Sequence, residues 1–176
     1  MSKNVWIWVR DIAIAVVIAI VIMQFIKPTI VKEHSMEDTL HPNDYIFLSK
    51  QAYNMGGAPK SGDIVVFHSS LESDDGTGAT KNLIKRVIAV EGDTVEIHDG
   101  VVYVNDKALE EPYTKDGYTD GQMPEITVPE GDLFLLGDNR QASRDSRDPS
   151  VGFITEDKLI GKAVFRVFPF SGFGPV

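Results

Sequence analysis

The chain has 176 residues, enough for one domain with a real core and a small appendage but too few for two ordinary domains. Its 26 acidic residues outnumber its 17 basic ones, and no cluster of Lys and Arg is long enough to follow a phosphate backbone, so we expect no nucleic acid partner. The chain contains no cysteine, which excludes disulfides, thiolate metal sites and a cysteine nucleophile.

The first predicted element is an apolar helix over residues 12–26, which carry no charged side chain, with residues 5–9 extending it upstream. A helix needs roughly 20 mostly apolar residues to cross a bilayer. A buried core helix is the alternative, but an apolar surface on every side without a polar stripe argues against it. Pro28 is expected to stop the helix. We therefore predict a transmembrane anchor in residues 1–30.

A cleaved secretory signal is the second alternative, because Lys3 and Arg10 could form the charged region that precedes the apolar run. No cleavage site of the A-x-A kind follows the run, which favours an uncleaved anchor. Lysines and arginines are nearly balanced on the two sides, so they do not determine orientation. The acidic, cysteine-free residues 31–176 are expected to lie outside the cell. The chain is therefore predicted to be a single-pass protein of the cell membrane with a cytoplasmic N-terminus.

Beyond residue 40, short alternating segments separated by turn signals are typical of a mostly β domain. The chain is therefore predicted to be mainly β, with a single N-terminal transmembrane helix followed by an antiparallel, barrel-like domain over residues 31–176. Asp99-Gly100 predicts a two-residue hairpin turn, and residues 155–160 predict a short helix capped by Thr155. The predicted strands cover residues 45–48, 63–67, 83–90, 94–98, 101–104, 125–128, 133–136 and 163–168.

Three polar stretches are interpreted as exposed loops: residues 55–62, 71–80 and 113–123. Residues 71–80 are acidic and glycine-rich, but they have neither the ligand spacing of an EF-hand nor the Gly-Lys-Ser/Thr ending of a phosphate loop. The sequence therefore predicts no metal and no cofactor.

Ser35 follows the anchor closely and needs a base, because a free hydroxyl is a weak nucleophile near neutral pH. Lys85 is the candidate base, since it lies with Arg86 inside an apolar, β-branched run. Side chains alternate along a strand, so Lys85 is expected to face Leu83 and Val87, and burial can lower a lysine pKa by roughly 3–5 units. The competing interpretation is a surface lysine on an edge strand.

Residues 137–148 follow a predicted strand and contain three Asp, three Arg and two Ser. A solvated loop is the default, but these groups could also orient a neutral amine and form ion pairs. Four segments together resemble the bacterial type I signal peptidases, membrane-bound serine proteases with a Ser-Lys dyad. They are Ser35-Met36 with Thr39-Leu40, then residues 62–67, 85–93 and 137–147, and the resemblance runs from the anchor to about Phe170 in the family's order.

The resemblance implies that Ser35 is the nucleophile, that its backbone amide contributes to an oxyanion hole, and that Lys85 is the general base. The implied supporting residues are Ser143 as a hydrogen-bond partner of the lysine amine, Asp145 paired with Arg147, and Asp138 paired with Arg86. It also implies signal peptides of exported preproteins as substrates, bound in extended form along a strand edge. The expected substrate-binding side chains are Val31, Met36, Leu40, Leu83 and Ile84.

The sequence departs from the family pattern at two positions: Glu33 stands where Gly or Ser is usual, and Asp38 replaces a proline. The second oxyanion donor is therefore unassigned. Three other functions stay open. One is catalysis by one of the four histidines, His34, His41, His68 and His98. The others are a Ser-Lys protease that cuts only itself or a regulator, and a tethered β domain that acts as an inactive adaptor or accessory subunit.

Overall fold

The computed structural model describes residues 3–53, 57–73 and 76–176, and within these ranges it contains one α-helix and twelve β-strands. The helix, α1, covers Lys3–Phe25. The strands are β1 Ile26–Ile30, β2 Tyr45–Ser49, β3 Ile64–Glu72, β4 Thr80–Val90, β5 Thr94–His98, β6 Val101–Val104, β7 Lys107–Ala108, β8 Met123–Thr127, β9 Asp132–Leu136, β10 Ile154–Thr155, β11 Leu159–Phe168 and β12 Gly174–Pro175.

Helix α1 contains the stretch Val5–Phe25, whose mean hydropathy of 2.4 and length of 21 residues are sufficient to cross a membrane, and the residues of this stretch are exposed. The helix ends at Phe25, ahead of Pro28, which disfavours helical geometry in the residue before it. Pro28 then lies in β1, an edge strand, where its missing N–H is tolerated. The sheet therefore begins at Ile26, within the segment assigned from sequence to the anchor.

The strands form two antiparallel sheets, which confirms the prediction of a mainly β chain after one N-terminal helix. The large sheet has the order β1-β2-β11-β3-β4-β9-β10, with β12 added to β11, and the small sheet has the order β7-β6-β5-β8. The small sheet begins with the Asp99-Gly100 hairpin, whose two residues have φ values of 52° and 81°, as a tight hairpin turn requires. Strand β4 lies in the middle of the large sheet and carries Lys85 and Arg86.

Two local predictions are wrong. Residues 155–160 do not form a capped helix: only a 3-10 turn at Glu156–Lys158 is present, and Thr155 donates its hydroxyl to the carboxylate of Asp157 instead of capping the backbone. The interpretation of residues 71–80 as a loop fails at both ends, because β3 continues to Glu72 with Leu71 in the core and β4 starts at Thr80. Residues 74 and 75 of that stretch, like residues 55 and 56 of the first loop, lie outside the described residues.

Candidate active site

The nucleophile candidate and the base candidate meet in the interior. Ser35 lies in a turn between β1 and β2 and is 2% exposed, and Lys85 lies on β4 and is 1% exposed. The Lys85 Nζ atom is 2.7 Å from the Ser35 Oγ atom and donates a second hydrogen bond of 3.1 Å to the carbonyl oxygen of Ile84. The two side chains are therefore within the reach that proton transfer requires.

Burial lowers the pKa of Lys85 from its ordinary 10.5 to about 8. The carboxylates of Asp145, Glu33 and Asp138 raise this pKa and the ammonium of Lys81 lowers it, but loss of hydration has the largest effect. A buried amine that has no carboxylate in contact favours its neutral form. Lys85 can therefore carry a free lone pair at mildly alkaline pH.

Arg86, the next residue of β4, forms the ion pair with Asp138 that the resemblance implied. Its Nε and Nη2 atoms donate to the two carboxylate oxygens at 2.9 and 2.7 Å, which is the bidentate geometry of strong pairs. Thr39 donates its hydroxyl to the same carboxylate at 2.5 Å, and the guanidinium lies 3.9 Å from the ring centroid of Tyr113. These contacts connect the nucleophile turn, β4 and the segment after β9.

We call that segment, residues 137–147, the catalytic loop. It contacts Ser35 directly, because the Asn139 amide donates to the Ser35 carbonyl oxygen at 3.1 Å. A Cβ atom on Gly137 would lie 2.5 Å from that same oxygen, so only glycine allows the approach. Asp145 accepts a hydrogen bond of 3.0 Å from the Gly137 amide and pairs with Arg147 at 2.8 Å. Contacts between its own residues therefore stabilise the loop.

Ser143 is next to this contact, yet it makes no hydrogen bond to Lys85 in the structure. Its hydroxyl is buried and has no hydrogen-bond partner among the described residues. A Cβ atom on Gly137 would lie 2.3 Å from the Ser143 Oγ atom and 2.5 Å from the Ser35 carbonyl oxygen, which places Ser143 close to Ser35. A bond between Ser143 and the lysine amine therefore stays a prediction.

The two acidic residues that depart from the family pattern do not point unpaired charge at the nucleophile. Glu33 pairs with Lys81 at 3.1 Å, and Asp38 is exposed. His34, the histidine next to the nucleophile, is 68% exposed, and its Nδ1 atom lies 2.6 Å from the carboxylate of Glu37. The hydrogen bond of the Ser35 hydroxyl is therefore with Lys85 and not with this imidazole.

A groove of about 980 Å³ lies between residues 27–33 and residues 80–84, so its lining ends two residues before Ser35 and one residue before Lys85. Of the predicted substrate-binding side chains, Val31, Leu83 and Ile84 line it. Met36 and Leu40 are fully buried in a core cluster with Val31 and do not line the groove.

The interpretation of residues 113–123 as an exposed excursion between strands holds for most of the segment but not for Thr119. Thr119 is 1% exposed, and its hydroxyl accepts a hydrogen bond from the guanidinium of Arg140. Tyr113 is partly buried under Arg86, and burial raises the pKa of its hydroxyl. Sequence reasoning named Thr39 in a motif without giving it a role, and it missed Glu111. The only available signal for the segment around Glu111 was the presence of two tyrosines, Tyr113 and Tyr118, in an otherwise polar stretch.

The chain is similar to known signal peptidases. The model of the family described as "Signal peptidase, peptidase S26" matches residues 5–168. Signal peptidase IB of Staphylococcus aureus (strain COL) is 36% identical, with 98% of this chain and 94% of that protein aligned. Signal peptidase I of Bacillus licheniformis is also 36% identical, with 97% of this chain and 92% of that protein aligned. A crystal structure of a signal peptidase I from Enterococcus faecalis V583 is 30% identical, covers 60% of this chain and 96% of that chain, and gives a TM-score of 0.48.

The family model and the relatives identify a peptidase, and its described residues form a mainly β domain that follows one apolar helix. The chain belongs to the signal peptidase family, peptidase S26, as the resemblance in its sequence predicted.

Proposed function

We propose that the protein is a membrane-anchored serine endopeptidase that removes N-terminal signal peptides from exported preproteins, with Ser35 as nucleophile and Lys85 as general base. The single observation that carries this proposal is the buried 2.7 Å contact between the Lys85 amine and the Ser35 hydroxyl. Membership of the signal peptidase family supports the substrate class.

In the proposed reaction, the neutral amine of Lys85 accepts the hydroxyl proton of Ser35 as the oxygen attacks the scissile carbonyl carbon. The carbonyl π electrons move to oxygen, and the backbone N–H of Ser35 donates to the resulting oxyanion. The Lys85 ammonium then protonates the leaving amine of the mature protein. Water hydrolyses the acyl-enzyme with Lys85 again as the base, which releases the signal peptide and restores Ser35.

The groove supports an extended substrate. Strand β9 pairs with residues 86–90 of β4, so among the described strands residues 80–85 keep an unpaired edge that faces the groove. A peptide can add to such an edge through backbone hydrogen bonds while alternate side chains enter shallow pockets. Val31, Leu83 and Ile84 make these pockets apolar, and small residues before the cleaved bond fit this surface.

The anchor sets where the reaction takes place. Helix α1 continues into β1 without a linker, and the Lys50 ammonium donates to the carbonyl oxygen of Met23 at 2.8 Å, which ties the end of the helix to the β domain. Ser35 follows the helix end by ten residues. With the N-terminus in the cytoplasm, the site would lie at the outer membrane surface, where a translocated signal peptide ends.

The test uses the full-length protein in phospholipid vesicles with a preprotein that carries an Ala-x-Ala site. We expect cleavage after the second alanine, confirmed by N-terminal sequencing of the product, and its loss in Ser35→Ala and Lys85→Ala. Ser61→Ala and Lys158→Ala change exposed residues of the same types and should cleave like the parent. Unchanged cleavage by Lys85→Ala would show that the base is wrong. Binding of the preprotein by the parent without any cleavage would favour the adaptor function.

A further inference from the structure

Residues 109–122, between β7 and β8, form a segment that we call the strap. The strap contacts three elements of the site. The Lys115 amide donates to the carbonyl oxygen of Asp138 at 3.2 Å, and the Lys115 ammonium pairs with Glu37 of the nucleophile turn at 2.8 Å. Tyr113 lies against Arg86 of β4. The proposed mechanism uses none of these strap residues.

The strongest of the strap contacts is made by Glu111. Its two carboxylate oxygens accept hydrogen bonds from Arg140 at 2.5 and 3.0 Å, and Thr119 of the strap accepts a third. The Arg140 side chain is 1% exposed and that of Glu111 is 10% exposed, so water competes little for this pair. A buried bidentate pair fixes the orientation of a guanidinium strongly.

Arg140 also contacts Gly137, another residue of the catalytic loop. Its Nε atom donates to the carbonyl oxygen of Gly137 at 2.8 Å. Gly137 is the residue on which an added Cβ atom would lie 2.5 Å from the Ser35 carbonyl oxygen, and its amide donates a hydrogen bond to Asp145. Three hydrogen bonds, two between Glu111 and Arg140 and one between Arg140 and Gly137, therefore connect Glu111 to the residue that lies against Ser35.

We propose that Glu111 is a positioning residue for the Ser35-Lys85 dyad, acting through Arg140 to hold Gly137 and the catalytic loop against the nucleophile. This role rests on the proposed function, because it assigns Glu111 to the same reaction. Glu111 touches neither the substrate groove nor the reacting atoms.

The proposal has a consequence for pH dependence. The charged groups that face Lys85 are Asp145 and Asp138 from the catalytic loop, Glu33 from the segment before the nucleophile, and Lys81 from β4 itself. A loosened loop admits water to the amine, and because burial is the main reason for the low pKa of Lys85, that pKa should rise. The groove is built from residues 27–33 and 80–84, so substrate binding should not change.

The experiment compares Glu111→Gln with Glu110→Gln in the full-length protein in vesicles. Glu110 is the exposed neighbour of Glu111, so its substitution removes the same charge without the buried pair. For Glu111→Gln we expect kcat at pH 7 to fall by roughly 10-fold to 100-fold with KM unchanged, since small misplacements of reacting groups cost this much. We also expect the acidic limb of the pH–rate profile to move to higher pH, and Glu110→Gln to match the parent in all three quantities.

A second readout does not depend on activity. In protein labelled with ¹³C at lysine Cε, the Lys85 resonance, assigned by its absence in Lys85→Met, should titrate at higher pH in Glu111→Gln than in the parent. This shift would support the positioning role even if the parent did not cleave preproteins, an outcome that would refute only the proposed function. Thr119→Val keeps the ion pair but removes one contact of Arg140, so it should show a smaller shift in the same direction, and it serves as the test if Glu111→Gln does not fold.

Two results would overturn the proposal. One is a Glu111→Gln protein with the kcat and the acidic limb of the parent. The other is a protein whose lower activity is explained by a smaller folded fraction, measured by near-ultraviolet circular dichroism, while the acidic limb and the Lys85 titration stay in place. In that case the pair of Glu111 with Arg140 would only stabilise the fold.

Discussion

Lys85 and Arg86 are neighbouring cations on β4, and both are buried, but they have different partners. Arg86 meets the carboxylate of Asp138 through two hydrogen bonds, whereas Lys85 contacts a hydroxyl and a carbonyl oxygen. The carboxylates around Lys85 act on it from a distance, and burial lowers its pKa to about 8. The difference teaches that burial alone does not define the role of a cation: a cation that contacts a carboxylate joins elements together, and one without such a contact has a lowered pKa.

The largest expected effect comes from exchanging the two residue types. Lys85→Arg places a group that cannot release its proton where the base must act, so cleavage should fall by about 10⁴-fold or more, as for loss of the base in other serine proteases. Arg86→Lys keeps a positive charge beside Asp138 but loses the bidentate geometry, so cleavage should fall far less. Rates with the Ala-x-Ala preprotein at pH 8 measure both. Equal losses of cleavage in Lys85→Arg and Arg86→Lys would contradict the different roles given to the two residues.

The second effect concerns the matched pair. Asp138→Asn leaves the buried guanidinium of Arg86 without its carboxylate, and breaking a buried pair in this way destabilises proteins by about 3–5 kcal/mol. Urea unfolding of the full-length protein in detergent micelles should show this loss in the free energy of unfolding. Asp106→Asn is the control, because Asp106 is exposed and its positive φ of 62° suits asparagine as well.

The sequence, through its family resemblance, was sufficient to predict the contact of Lys85 with Ser35 and both supporting ion pairs, while the chemical roles of these residues stay predictions. It was not sufficient to predict the strap. Glu111 and Thr119 stand in a polar stretch without periodicity, and only the tertiary fold brings them to Arg140, 29 and 21 residues away. Strand β1 was missed for a similar reason, because its five residues follow the helix directly and pair with β2 only after the chain has reversed.

The third effect is a higher free energy of unfolding when Lys85 is replaced, together with a loss of cleavage. Below pH 8 the folded protein must bury the Lys85 ammonium, while in the unfolded chain this amine has its ordinary pKa of 10.5. The unfolded state therefore binds more protons between pH 8 and pH 10.5, so stability increases with pH in that window and the cost of the buried charge is complete below it. The gap corresponds to about 3 kcal/mol.

Lys85→Met removes this cost, so at pH 6 it should raise the free energy of unfolding by up to about 3 kcal/mol while abolishing cleavage. The gain should shrink as the pH rises through 8 and vanish near pH 11, where the parent amine is neutral in both states. Urea unfolding at these pH values measures it. A gain that does not change with pH would mean that packing, and not the buried charge, distinguishes the two side chains.

The smallest expected effect concerns the charges of Glu33 and Lys81, which line the groove and change the pKa of Lys85 in opposite directions. Glu33 raises the pKa of Lys85 and Lys81 lowers it, so Glu33→Gln should move the acidic limb of the pH–rate profile to lower pH and Lys81→Met should move it to higher pH. Both side chains are partly exposed, at 43% and 23%, and solvent screening should keep each shift below about one unit. Lys158→Met, which removes an exposed lysine, should leave the limb in place. Shifts of the same sign in Glu33→Gln and Lys81→Met would indicate that the variants change the shape of the site, because two opposite charges cannot act on one amine in the same direction.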